Sequence, residues 1–133
     1  MNKKTPLSDE WETPQWLFDA LDSEFGFTLD GAANESNAKC KAFCCEGKPL
    51  NWAGERVFCN PPYSMILPFL QHAPETEVAV FVLPVRTDTR WFQFLQTLNC
   101  ELRFFRKRVA FLQKGVEEGS PRFASLIAIV RPR

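Results

Sequence analysis

The tetrapeptide Asn60-Pro61-Pro62-Tyr63 brings together residue types that could do chemistry. A planar exocyclic amine becomes a better nucleophile when two acceptors hold its two hydrogens and free its lone pair. The Asn60 side-chain oxygen and the Pro61 carbonyl could be these acceptors, because Pro62 keeps the turn rigid. The Tyr63 ring could stack on the flat ring that carries the amine. The tetrapeptide therefore predicts a clamp for a planar NH₂ group such as N6 of adenine; an ordinary tight turn is the alternative.

The segments around this tetrapeptide predict alternating strands and helices. Helix signals are Pro14 in the first turn, Thr13 as a possible N-cap, and Gly26 as the end of the first helix. The third predicted helix has Thr87 or Asp88 as its cap. The helices are expected over 13–25, 64–73 and 87–99. The strands are expected over 27–30, 56–59, 77–85, 101–106, 108–113 and 125–132, with a loop at 113–121 between the last two.

This alternation predicts an α/β fold in which a three-layer sandwich ends in a C-terminal antiparallel hairpin. Ligands bind such sheets at the carboxyl ends of the strands. Asp30-Gly31-Ala32 and the Asn60 tetrapeptide each follow a predicted strand. We therefore expect the two segments to share one edge of the sheet.

Length and composition favour a single soluble domain over 1–133, with residues 1–8 as a polar tail. No apolar run approaches the ~20 residues of a membrane span, and the N-terminus has no secretion signal, so a cytoplasmic location is expected. The odd number of cysteines, five, argues against a disulfide framework. A zinc site formed by cysteines and His72 is conceivable, but paired CxxC knuckles are absent and buried cysteine is the simpler interpretation.

Charge is distributed unevenly although the formal net charge is zero. Residues 1–74 carry 6 Lys and Arg against 10 Asp and Glu, whereas residues 75–133 carry 10 against 6. The basic half interleaves aromatic side chains around 103–108, which suits a polyanionic partner. A solvated charged face explains the same pattern.

Several segments together resemble a known family. Asn60-Pro61-Pro62-Tyr63 resembles the catalytic motif of the S-adenosylmethionine-dependent amino-methyltransferases. The segments 9–33, 60–64, 83–92 and 101–115 are similar, in the same order, to the bacteriophage N-6-adenine DNA methyltransferases of the Dam type. The resemblance covers most of residues 9–130 and implies a trimmed class I, Rossmann-like methyltransferase fold.

The resemblance also implies roles for individual residues. Asn60, Pro61, Pro62 and Tyr63 would be catalytic and base-holding positions. S-adenosylmethionine would be bound by residues that include Asn60, and the others are Thr13, Pro14, Asp30, Gly31, Ala32 and Glu46. A plain helix start is the alternative for Thr13 and Pro14 and is compatible with that role, and a simple turn is the alternative for 30–32. Phosphate contacts are expected from Arg86, Arg90, Arg106, Lys107 and Arg108.

The sequence thus predicts methyl transfer from S-adenosylmethionine to adenine N6 in double-stranded DNA, with no metal, no membrane and loose sequence specificity. The adenine would have to leave the duplex. The protein would act in the cytoplasm of a bacterial host of a phage or prophage. Only about 26 residues separate Asp30 from the catalytic strand, too few for the two further strand–helix units of a complete methyltransferase sheet. Two alternatives stay open: methylation of RNA or a protein amide, and a degenerate module that binds nucleic acid or cofactor without catalysis.

Overall fold

The structure is a computed structural model that describes residues 12–34, 36–44, 51–105, 112–113, 116–117 and 124–132. Its main sheet contains β1 (Leu29–Asp30), β2 (Arg56–Cys59), β3 (Val78–Pro84), β4 (Cys100–Phe104) and β7 (Ser125–Val130). The strand order is β1-β2-β3-β7-β4. Strands β1, β2 and β3 are parallel to one another, and β7 is antiparallel to both β3 and β4. The carboxyl ends of β1, β2, β3 and β4 therefore lie at the same edge.

Helices cover both faces of this sheet. Helix α1 (Gln15–Phe25) buries Leu17, Phe18 and Leu21 against one face. Helices α2 (Ile66–Leu70) and α3 (Arg90–Leu95) bury their apolar side chains against the other. The predicted α/β fold is thereby confirmed, with a five-stranded sheet between the helices.

Strand β3 shows why the sheet needs two helical layers. All seven of its residues are buried. Val78, Val80 and Val82 pack on the α1 side, whereas the alternate residues Ala79 and Phe81 pack on the α2–α3 side. A continuous apolar strand has no solvent face, so burial on both sides is the arrangement its sequence requires.

Both predicted helix caps were wrong. Pro14, and not Thr13, is the N-cap of α1, where no side chain caps the helix. Thr89, and not Thr87 or Asp88, caps α3, because its hydroxyl accepts the Phe92 N–H at 3.2 Å. The predicted end of α1 was right: Gly26 adopts the left-handed conformation with φ 62°.

The predicted closing hairpin was also wrong. Strand β7 does not pair with the segment that precedes it; it lies between β3 and β4. The segment expected to be a sheet strand and the start of the expected loop instead supply β5 (Leu112–Gln113) and β6 (Val116–Glu117), a separate antiparallel pair. The physical reason is the sequence of β7, Ser-Leu-Ile-Ala-Ile-Val, which is buried at every position and so requires a strand on each side. The rest of the expected strand, 108–111, lies outside the described residues.

Candidate active site at the tips of β1 and β2

Asn60 follows the last residue of β2, at the carboxyl edge of the sheet. Its side-chain nitrogen donates a hydrogen bond of 3.0 Å to Thr13 Oγ1, across 47 positions of sequence. Thr13 is 3 % exposed and immediately precedes Pro14, the N-cap of α1. The start of α1 and the tip of β2 are thus joined through one polar contact.

Asp30, the last residue of β1, is buried beside this contact with an exposure of 2 %. Its carboxylate accepts the Ala32 N–H at 3.2 Å and the Lys39 N–H at 3.0 Å. Burial raises the pKa of Asp30 to about 6, while these two N–H groups and the Lys39 charge pull it the other way. The Asp30 carboxylate therefore holds the loop that follows β1 through the backbone N–H groups of that loop.

The backbone of Asp30 is also tied to that loop. Its N–H donates to the Ala42 carbonyl at 3.0 Å, and its carbonyl accepts the Cys44 N–H at 2.9 Å. The Gly31 N–H donates to the Phe58 carbonyl at 2.7 Å, which locks the tip of β1 onto β2. The polar sequence of 34–55 predicts irregular structure or a short helix, and the described part of this segment contains no helix.

Gly31 is small for a reason that the sequence did not reveal. A Cβ atom at this position would stand 2.5 Å from Trp52 Cζ2 and 3.0 Å from Val57 Cγ1. Trp52 is fully buried, so its indole ring fills the space that a side chain would need. Core packing therefore accounts for the glycine, and its expected contact with a cofactor remains a prediction.

A shallow, half-open pocket lies between these elements, with about 260 Å³ of space that includes open solvent. Both strand tips contribute to it, which confirms that they share one edge of the sheet. The residues that line it are Glu12, Thr13, Asp30, Ala32, Asn37, Lys39, Phe58 and Asn60. Acidic and basic side chains face each other here, a combination that fits a zwitterionic ligand.

The remaining residues of the tetrapeptide turn away from this pocket. Pro61 is buried, and the Pro62 carbonyl accepts the Met65 N–H at 2.9 Å, which starts the 3₁₀ turn Tyr63–Met65. Tyr63 packs partly against the core on the α2–α3 side of the sheet. Burial raises the pKa of Tyr63 to about 12, so its hydroxyl stays neutral at physiological pH.

The candidate phosphate-binding residues differ in their exposure and in the contacts that they make within the chain. Arg86 lies just after β3 and pairs with Asp88 through contacts of 3.2 and 3.4 Å. Arg90 is exposed at the first position of α3. Arg103, from the same basic stretch, is held by both carboxylate oxygens of Glu24 at 2.7 Å each. Arg106, Lys107, Arg108 and the cofactor candidate Glu46 lie outside the described residues.

Sequence reasoning missed several pocket residues, among them Glu12, Asn37 and Lys39. Glu12 directly precedes Thr13, so its position next to a candidate residue was a usable signal. Asn37 and Lys39 had no such signal, because contacts made in the fold, such as the bond from the Lys39 N–H to the Asp30 carboxylate, bring their loop to the pocket. The Lys39 ammonium also donates to Gln15 Oε1 at 3.1 Å, which fixes this loop to α1.

Within the described residues, no group of three or more His, Cys, Asp or Glu side chains could hold a metal ion. Of the helices in the described ranges, none is both long and apolar enough to cross a bilayer.

The fold and the pocket define an α/β protein with a polar ligand site at the carboxyl edge of its sheet. Residues 1–132 match the model of the family described as DNA N-6-adenine-methyltransferase (Dam), and the chain belongs to this family. The chain is also similar to a protein named DNA N-6-adenine-methyltransferase from Haemophilus phage HP1 (strain HP1c1). The two are 29 % identical over 145 residues, which cover 99 % of this chain and 84 % of the relative. The resemblance drawn from the motifs is thereby confirmed.

Proposed function

We propose that this protein transfers a methyl group from S-adenosylmethionine to the N6 amine of adenine in DNA. The observation that carries the proposal is the position of Asn60: it directly follows a parallel strand and lines the pocket together with Asp30, in a chain of the adenine methyltransferase family. The five-stranded mixed sheet is compatible with a trimmed Rossmann-like methyltransferase fold.

The Asn60 side-chain oxygen and the Pro61 carbonyl are the proposed acceptors for the two amine hydrogens. The Asn60 amide nitrogen is engaged by Thr13, so the amide is held from one side. None of the described residues donates a backbone hydrogen bond to the Pro61 carbonyl. Two acceptors on one NH₂ group favour a tetrahedral nitrogen whose lone pair points at the methyl group.

The pocket is the proposed cofactor site, and the mixed charges at its rim support this. S-adenosylmethionine supplies an activated methyl group on its sulfonium when it is bound. Lys39 suits the carboxylate of the amino-acid part, and the Asp30 carboxylate suits its ammonium group. Pro14, Gly31, Ala32 and the methyl group of Thr13 are the proposed walls of this site, and Glu46 is a further candidate.

Tyr63 is the proposed stacking partner of a flipped-out adenine, a contact worth ~1–3 kcal/mol per base. Its neutral hydroxyl and partly buried ring are consistent with a rigid stacking surface. The ring packs on the α2–α3 side of the sheet, whereas the pocket lining includes Thr13, just before α1, and Phe58 from the core on the α1 side. Base and cofactor would then approach the Asn60 amide from opposite sides.

Double-stranded DNA is the proposed partner, and basic residues follow the strands that end at the site's edge. Arg86 comes two residues after β3, and the Arg106-Lys107-Arg108 segment follows β4. Arginine contacts to phosphate carry no sequence information directly, so we propose loose sequence specificity. Methylated adenines mapped across a bacterial genome test this: a fixed motif of four or more bases would contradict it. Because the similar protein is from a phage, we also propose that the chain acts in the cytoplasm of a bacterial host.

Transfer of a labelled methyl group tests the proposed function. Purified protein and labelled S-adenosylmethionine are incubated separately with double-stranded DNA, with RNA and with a glutamine-containing protein. We expect label in DNA alone. Label only in RNA or protein would move the activity to those substrates, and cofactor binding without any transfer would support the degenerate module.

A further inference from the structure

We propose that Thr13 is a positioning residue whose hydroxyl orients the Asn60 amide for the amine acceptor role. The proposal deepens the proposed function and rests on it. It gives the Thr13 hydroxyl a duty toward the chain's own catalytic side chain and not toward the cofactor. The contact that carries it is the 3.0 Å hydrogen bond from Asn60 Nδ2 to Thr13 Oγ1.

The buried Thr13 hydroxyl has no role in starting α1. A threonine before a helix usually caps it, but Pro14 is the N-cap and no side chain caps this helix. The hydroxyl is nevertheless enclosed, since Thr13 is only 3 % exposed. A buried hydroxyl is retained where it has a hydrogen-bond partner, and the partner here is Asn60.

Orientation matters for Asn60 because its two amide ends have opposite hydrogen-bonding character. An amine substrate needs the oxygen, and a rotated amide would present two N–H donors to it instead. Donation from Nδ2 to Thr13 directs the oxygen away from Thr13. Strands β1 and β2 lie in the sequence between Thr13 and Asn60, so the sheet holds these two residues in position.

Three substitutions separate this role from cofactor binding. Thr13→Val keeps the shape and removes the hydroxyl, Thr13→Ser keeps the hydroxyl, and Thr13→Ala removes both. The matched control is Thr76→Val. Thr76 is a second buried threonine, 6 % exposed, and it does not line the pocket. Its hydroxyl donates a hydrogen bond of 2.8 Å to the Ala73 carbonyl.

The main measurement is the single-turnover methyl-transfer rate at saturating cofactor and DNA, with the cofactor dissociation constant measured by calorimetry. We expect Thr13→Val to lose about tenfold or more in rate, equivalent to about 1.4 kcal/mol in the barrier, with a dissociation constant within about twofold of wild type. Thr13→Ser should recover most of the rate. Thr76→Val should keep the wild-type rate even where its thermal stability falls.

Several results would overturn the proposal: a wild-type rate in Thr13→Val, a loss explained wholly by weaker cofactor binding, or equal damage from Ser and Val. If Thr13→Val does not fold, Thr13→Ser and Thr13→Ala are compared by ¹H–¹⁵N NMR of the Asn60 side-chain amide. Slowed exchange of that amide in wild type and Ser, but not in Ala, is expected; no difference among the three contradicts the bond. Because this NMR measurement needs no turnover, it still tests the contact if wild-type protein methylates nothing, a result that would refute the proposed function alone.

Discussion

Asp30 and Asn60 stand at the tips of neighbouring parallel strands, yet the chain holds them in different ways. Backbone N–H groups of the following loop satisfy the Asp30 carboxylate. A side chain from a distant helix start satisfies the Asn60 amide. The first arrangement organises the chain, whereas the second fixes one polar group at the rim of a pocket. Two candidate site residues at one edge of the sheet are thus held by different means, Asp30 by the backbone of its own loop and Asn60 by a side chain distant in sequence.

The largest expected effect is on turnover, through Asn60→Ala. Loss of one amine acceptor should lower the methyl-transfer rate by roughly 10²–10³-fold or more, because this contact is made in the transition state. The fold should persist, since Asn60 is only partly buried at a strand tip. The rate is measured at saturating cofactor and DNA, alongside the circular dichroism spectrum.

Asn99→Ala is the matched control for this variant. Asn99 also donates its amide hydrogen within the chain, to the Arg131 carbonyl at 2.7 Å, but on an exposed turn. Asn99→Ala should transfer methyl groups at the wild-type rate. A near wild-type rate in Asn60→Ala would mean that Asn60 does not act in catalysis. The different way in which its side chain is held would then have no bearing on the reaction.

The next effect is on stability and involves Asp30. A pKa raised from 3.8 to about 6 means that the folded state favours the protonated acid, so this contribution to stability is present below pH 4 and lost as the pH rises through 6. A pKa change of this size corresponds to a free energy on the order of 3 kcal/mol.

Asp30→Asn removes this titration and serves as the reference. The unfolding free energy of wild type, taken relative to Asp30→Asn, should fall between pH 4 and pH 7. Chemical denaturation at several pH values measures the difference. Other carboxylates cancel in this subtraction, so a flat or rising difference would mean that Asp30 is not held as a buried acid.

The smallest expected effect is a loss of stability in Gly31→Ala, which tests why a glycine follows β1. The added methyl would meet the Trp52 ring at 2.5 Å, and such overpacking typically costs about 1–3 kcal/mol. Thermal or chemical unfolding measures this loss. Trp52→Phe shortens the ring, so Gly31→Ala should cost less in that background. An equal cost in both backgrounds would show that Trp52 is not the reason for the glycine.

Much of the architecture could be predicted from local patterns. Strand β3 is a continuous apolar run, and α1 ends at a glycine, so both follow from short-range rules. The shared edge of Asp30 and Asn60 followed from the direction of parallel strands. Local patterns failed where long-range pairing decides: β7 inserts between β3 and β4, although β4 precedes it by some twenty residues.

The site also has features that local sequence could reveal and features that depend on long-range contacts. The Asn60 tetrapeptide was identifiable because its composition is unusual for a strand end. The Thr13–Asn60 bond was not, since it joins positions 47 residues apart and a threonine before a proline looks like a helix start. The packing of Trp52 against Gly31 also lacked a local signal, because only the folded sheet brings the two together.

Mass spectrometry of nucleosides tests the central claim most directly. Double-stranded DNA that contains no methylated bases is incubated with the protein and isotopically labelled S-adenosylmethionine, digested to nucleosides and analysed. The account predicts labelled N6-methyldeoxyadenosine, formed by wild type and by Asn99→Ala and nearly absent with Asn60→Ala. Label on cytosine, or no labelled nucleoside although the protein binds cofactor and DNA, would contradict the account.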